Sequence, residues 1–203
     1  MKRKVISVEE LITGDKIVYL SPGHAPGMVS TIGPKQNINI ATFEQIMVVS
    51  YRPPRIIIVI SENCDTYKNI VSGSSAAVGF PYPKYIQQTY DAGVKLNRNL
   101  SELDYISGLS TYESHNIESP SLDQCWINFE CKLFKDVPAG DHNIVVLDVL
   151  SVSVDPKIIK ENGIATRTNL PALYYTTNGN FFEPGEFKKI KLSDNLRSLD
   201  NSD

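Results

Sequence analysis

Two short stretches of this 203-residue chain put polar groups where chemistry is feasible. In Asp65-Thr66-Tyr67-Lys68-Asn69-Ile70, the Asp65-Thr66 pair reads as a helix cap. The helix it opens presents N–H groups at its first turn, a place for an anion. In Gly140-Asp141-His142, a histidine stands at the turn between two long apolar runs. An imidazole there can hydrogen-bond a ligand or pass a proton near neutral pH. Thr42 and Ser50 are small hydroxyls beside apolar runs, within reach of a phosphate. Each group also has a plainer reading. Asp65 and Thr66 then only cap, Ser50, Thr42 and Asn39 make ordinary turn hydrogen bonds, and His142 is a loop residue without a task.

The elements that must hold these groups are mostly strands. Ile17 to Leu20 is a short apolar run closed by Ser21-Pro22-Gly23. Ile46 to Val49 and Ile56 to Ile60 are continuous apolar runs, which predict strands buried on both faces. From Cys125 to Leu133 the pattern alternates: Cys125, Ile127, Phe129, Cys131 and Leu133 on one face, Asn128, Glu130 and Lys132 on the other. A loop with Pro138, Gly140 and Asp141 leads into a second long strand from Asn143 to about Asp155, which makes a long hairpin. Three short helices are expected: one capped at Asp65 and stopped at Gly73, one from Pro83 to Gly93, and one capped by Ser101 and stopped near Gly108. Short strands with scattered helices predict a mainly β barrel with helical insertions. No βαβ rhythm and no GxGxxG occurs, which argues against a doubly wound dinucleotide fold.

The composition narrows the partners. Twenty basic and 23 acidic residues give a net charge of −3, no footprint for nucleic acid or an anionic membrane. Between Arg98 and Lys132 lie Glu102, Asp104, Glu113, Glu118, Asp123 and Glu130 without a Lys or Arg. That stretch reads as a solvated or subunit-facing acidic surface. Cys64, Cys125 and Cys131 form no CxxC and have no His at zinc spacing. Cys125 and Cys131 are expected as core filler in a reducing compartment, with no metal. Glu9, Glu10, Gly14 and Asp15 interrupt any apolar segment after the basic start, and no apolar run reaches the roughly 20 residues of a spanning helix. A cytoplasmic protein is expected, with one domain over 1–193 and a polar, disordered tail over 194–203.

Four stretches in order resemble the flavin-reductase-like family. Val29 to Gly33, Asn39 to Phe43 and Val49 to Pro54 are similar to its first flavin-contacting strand, its "N-x-A-P/T" segment and its "S-x-D-P-P" turn. Asp65 to Ile70 resembles "D-T-x-x-N-I", and Leu100 to Leu109 the helix and glycine before its later strands. Gly140-Asp141-His142 and the run to Val149 resemble "G-D-H-x-I-x-x-G-E-V". The resemblance implies an FMN-binding split barrel with Greek-key-like connections, usually a homodimer. It implies FMN, with FAD as the alternative flavin, near the subunit interface, and hydride passing from NAD(P)H to flavin N5. It assigns flavin contacts to Thr31, Asn39, Ala41, Thr42, Ser50, Tyr51, Asp65, Thr66, Asn69 and Ser101, and a place near the nicotinamide-flavin contact to His142. A flavin-binding electron carrier with little nicotinamide activity is the alternative function.

The chain departs from that family at two positions. Glu44 stands where many relatives carry a phosphate-binding serine, and Cys64 where many carry arginine. Unless Glu44 turns away, or Lys35 or Arg52 compensates, a carboxylate about 4 Å from a phosphate charge repels it by roughly 4 kcal/mol at an effective dielectric near 20.

Overall fold

The strand order of the main sheet explains how the chain builds a barrel. The computed structural model describes residues 7–9, 23–159, 171–176, 180–183 and 185. Its seven antiparallel strands are β1 (Gly27–Ile32), β2 (Ile38–Phe43), β3 (Ile46–Tyr51), β4 (Pro54–Ile60), β5 (Ala76–Pro81), β8 (Cys125–Ala139) and β9 (His142–Val154), in the order β2-β1-β5-β8-β9-β4-β3. Two small pairs lie outside that sheet: β6 (Thr111–Tyr112) with β7 (Ser121–Leu122), and β10 (Tyr174–Tyr175) with β11 (Phe181–Phe182). β2 and β3 are the two edges of the main sheet, yet only Glu44 and Gln45 join them. Each residue spans at most about 3.6 Å, so the sheet must roll until its edges approach. The result is a barrel split between β2 and β3.

Period-two burial fills the interior. Ile56, Ile58 and Ile60 of β4 point inward with Val29, Val78, Cys131, Val145 and Leu147. α1 (Asp65–Val71) adds Ile70 to this core. A second cluster covers the outer face of β1 and β2, where Met28 and Ile40 meet Ala92, Leu109, Leu122 and Cys125. α2 (Ile86–Asp91), entered through a 3₁₀ turn at Pro83–Tyr85, lies in the segment that supplies this cover. Cys125 and Cys131 are buried and unpaired, and burial pushes both thiols up. They are core filler, as their strand positions predict.

Several expectations need correction. β3 is not buried on both faces: Met47, Val48 and Val49 are 58%, 51% and 47% exposed. Its residues are as apolar as those of β4, but it ends the sheet. Asp65 does not cap α1; Cys64 occupies the cap position without a side-chain hydrogen bond, and Asp65 is the first helical residue. The polar face of β8 is only partly solvated, Lys132 being exposed and its neighbours covered. Asn128 and Glu130 are each 1% exposed, covered by the chain around β6 and β7. Asn128 bonds the backbone N–H and carbonyl of Leu122, and a register shift between Glu130 and Cys131 breaks the alternation.

The acidic stretch is likewise only partly surface. Glu102 is 4% exposed and Glu130 1%. The Glu130 carboxylate accepts from His115 N (2.9 Å), Asn116 N (2.7 Å) and Ser151 Oγ (2.6 Å). Burial alone would raise its pKa, but these bonds outweigh that and hold it below the ordinary value.

The long hairpin is as expected but tighter. Pro138 and Ala139 belong to β8, Ala139 pairs with His142, and Gly140 at φ +83° makes the turn with Asp141. The expected strand at Ile17 to Leu20 and the tail over 194–203 lie outside the described residues. Among the described residues no helix is long and apolar enough to cross a membrane.

Candidate functional site

β1 and β2 bring the first polar residues together through their register. Thr31 and Asn39 are cross-strand partners, so their side chains share a face. Thr31 Oγ1 donates to Asn39 Oδ1 at 3.3 Å. α1 meets the same face: Thr66 Oγ1 donates to Asn39 Oδ1 at 2.9 Å, and Asn69 Nδ2 donates to Thr31 Oγ1 at 2.9 Å. Thr31, Thr66 and Asn69 are buried to within 2%. Polar groups this deep need partners, and here they supply one another.

Two charged residues close the network from the far side. Arg98 donates to Asp65 Oδ1 (3.0 Å) and Asn69 Oδ1 (2.8 Å). Glu102 accepts from Ile40 N (2.7 Å) and, more loosely, from Asn39 Nδ2 (3.4 Å). Burial raises the Glu102 pKa, and the hydrogen bonds from Ile40 and Asn39 oppose the rise. No local pattern marks either residue. Arg98 reads as the basic border of an acidic run, and Glu102 as part of it.

Along this network runs a cavity of about 170 Å³. Ala41 and Phe43 of β2 line it together with Ala92, Val94 and Leu96, and its polar lining includes Thr66, Asn97, the cations Lys95 and Arg98 and the carboxylates Asp65 and Glu102. Its apolar side chains suit the edge of an aromatic ring, and the Lys95–Arg98 side offers cationic donors to an anionic group. Lys95 Nζ donates to the exposed carbonyl of Asn63 at 3.1 Å, and Arg98 is held by Asp65. Lys35 and Arg52 line neither this cavity nor its neighbour.

A second cavity of about 280 Å³ adjoins the first, and Thr42, Gly93 and Val94 line both. Glu44 faces this second space, and burial raises its pKa while His24 lowers it. The Thr42 hydroxyl donates to Thr89 O at 2.6 Å.

The structure thus gathers Asn39, Ala41, Thr42, Asp65 and Thr66 at the first cavity, with Thr31 and Asn69 behind it. Ser50 and Tyr51 do not line it, and Ser101 stands between two lining residues, Leu100 and Glu102, without lining it. Ser50 donates to Pro53 O at 2.6 Å within its turn, and Tyr51 is 81% exposed. Ser101 caps the 3₁₀ turn Glu102–Asp104 by accepting from Leu103 N.

His142 opens β9 at the hairpin and lines neither cavity. Its Nδ1 lies 3.0 Å from Asp141 Oδ1, and this hydrogen bond holds the Asp141 carboxyl below its ordinary value. Next to it, Asn143 donates to Tyr67 Oη (3.0 Å) and Asp136 Oδ1 (2.8 Å), tying the hairpin to α1. The hydrogen bond from Tyr67 to Asp136 pushes the phenol up to about 12.

Comparison with known proteins agrees with this architecture. Residues 23–182 match the sequence profile of the family described as "Flavin reductase like domain". An uncharacterized protein of Aquifex aeolicus is 28% identical over 141 residues, which is 67% of this chain and 71% of that protein. Nitrilotriacetate monooxygenase component B from Bacillus cereus superposes with a TM-score of 0.85 at 19% identity, over 94% of this chain and 100% of that one. An NADH:FAD oxidoreductase of Streptomyces globisporus superposes with a TM-score of 0.72 at 12% identity, over 92% and 100%. At these identities the two structures speak for the split-barrel fold.

Proposed function

The chain belongs to the flavin reductase-like family, and on that premise we propose that it is an oxidoreductase using FMN, or FAD, with NADH or NADPH as electron donor. The observation that carries this reading is the first cavity: an apolar slot bordered by Lys95 and Arg98 and backed by a saturated polar network. The Streptomyces relative's NADH:FAD activity supports a nicotinamide as donor.

Each side chain then has a physical task. Ala41, Phe43, Val94 and Leu96 exclude water from the flavin ring and orient it. Lys95 and Arg98 face the phosphate, and Thr66 and Asn39 border the ring. Thr31 and Asn69 hold Asn39 and Arg98 in place, so the site is built before ligand arrives. When bound, the flavin supplies the atom, N5, that accepts hydride from reduced nicotinamide. His142, with Asp141 on its Nδ1, is assigned hydrogen bonding or proton supply at the nicotinamide contact. A homodimer completes the reading, the second copy covering the apolar face beside β3.

The deciding experiment titrates FMN, FAD and riboflavin by fluorescence quenching, then follows anaerobic bleaching of bound flavin by NADH and NADPH. Wild-type protein is expected to bind FMN and to bleach. Lys95→Ala should weaken FMN by about tenfold and leave riboflavin unchanged, because a single charge-assisted contact contributes roughly 1.5 kcal/mol or more. No flavin binding would overturn the reading. Binding without bleaching would make the protein a carrier.

A further inference from the structure

We propose that the second cavity is a binding site for a small organic cation of the N-alkylpyridinium type. Among the described residues, three aromatic rings and one carboxyl line it: Tyr90 of α2, Tyr175 of β10, Phe181 of β11, and Glu44 in the link between β2 and β3. Phe181 meets Tyr90 edge to face, with centroids 6.1 Å apart at 82°, and Tyr175 at 4.9 Å and 55°. Rings this close pack on one another and stand as one aromatic wall of the cavity, and an aromatic face attracts a cation within about 6 Å.

Glu44 supplies the charge. Among the described residues its carboxyl makes no hydrogen bond and no ion pair within 4 Å. It feels His24 only through space, and burial already disfavours its anionic form. A half-buried carboxylate in this state gains most from a ligand that brings a positive charge and little hydration of its own. An alkylated ring nitrogen is such a charge.

The remaining lining disfavours other ligands. Among the described residues no Lys or Arg borders this cavity, whereas Lys95 and Arg98 border its neighbour, which favours anions there instead. The Thr42 and Thr89 hydroxyls donate to the carbonyls of Thr89 and Tyr85, at 2.6 and 2.9 Å, and are not offered to a neutral acceptor. A volume of about 280 Å³ lies at the lower end of small-molecule sites, roughly 300 Å³. One substituted ring fits that size. The inference stands on the second cavity alone and does not require flavin in the first.

The test titrates 1-methylpyridinium and its neutral isostere toluene into the full chain, followed by ligand-observed NMR. Wild type should bind the cation saturably and toluene much more weakly. Glu44→Gln keeps the shape and removes the charge; it should weaken the cation at least tenfold and leave toluene unchanged. Tyr90→Leu, checked for native circular dichroism, should weaken the cation as well. Absence of saturable binding, equal affinity for cation and toluene, or an unchanged Glu44→Gln titration would each overturn the proposal.

Discussion

Arg98 Nη1 lies 3.0 Å from Asp65 Oδ1, and this pair joins the start of α1 to the segment that roofs the first cavity. The same guanidinium reaches Asn69 Oδ1 at 2.8 Å, one turn further along α1. A planar fork that bonds two points on one helix fixes its rotation as well as its position. The Asp65 side chain is only 11% exposed. Arg98→Ala therefore leaves a nearly buried carboxylate with only Lys68 Nζ, 3.8 Å away, as cationic neighbour, and should lower stability by about 1–3 kcal/mol. Arg98→Lys keeps the charge but cannot bond both partners, and should recover only part of the loss. Urea denaturation of the three proteins measures this, and equal midpoints would mean that the pair is ornamental.

The contrast between motif and border residue shows where the sequence is informative. Asp65, Thr66 and Asn69 sit within five positions, so one short string displays them together. Their partners Thr31, Asn39, Arg98 and Glu102 come from β1, β2 and a distant segment, and only the strand register and the roll of the sheet bring them in. Glu102 and Glu130 misled for a related reason. A carboxylate in sequence reads as solvated, yet each here is buried against backbone N–H groups that no local pattern reveals. β3 misled in the opposite sense, because apolar content alone does not distinguish a central strand from an edge awaiting cover.

Glu130 carries a pH dependence with a definite sign. Its folded-state pKa lies below the ordinary 4.5 because three hydrogen bonds favour the carboxylate over the cost of burial. The unfolded chain then binds the proton more readily than the folded one. The resulting stability is fully present above about pH 4.5 and is lost as pH falls through the depressed folded value. Glu130→Gln turns an amide toward donors that need an acceptor, and should cost about 2–3 kcal/mol at pH 7. Urea midpoints of both proteins between pH 7 and pH 3 should converge as the pH drops. A gap that stays constant would mean that Glu130 is not anionic in the fold.

The apolar face beside β3 should be covered by a second copy. Val48, Leu150 and Val152 are 51%, 47% and 44% exposed, and they line one apolar depression of about 290 Å³ with Ile56 and Phe129. Contiguous apolar surface at a sheet edge is costly to leave in water. Light scattering on the purified protein should give twice the mass of one chain. Val48→Lys places a charge at the β3 border of that face and should shift the population to monomer while the circular dichroism stays native. A wild-type monomer would leave the face for another partner.

His142 tests where a reduced nicotinamide would meet the bound flavin. It is the first residue of β9, its side chain is 45% exposed, and Nδ1 is engaged by Asp141, which leaves Nε2 directed elsewhere. Because it lines neither cavity, it should not contribute to flavin affinity. If it meets nicotinamide at the bound flavin, its loss should slow turnover without abolishing it, since hydride transfer needs no general base. General acid–base groups contribute about 10²–10⁴, and an auxiliary hydrogen bond less. His142→Ala should therefore lower NADH turnover by about 10- to 100-fold with unchanged flavin titration, and His142→Gln should restore part of the rate by keeping a hydrogen-bonding group. Asp141→Asn should have a milder effect of the same sign, through the tautomer it no longer fixes. Identical steady-state kinetics for His142→Ala and wild type would make His142 a turn residue and move the nicotinamide contact to another part of the surface.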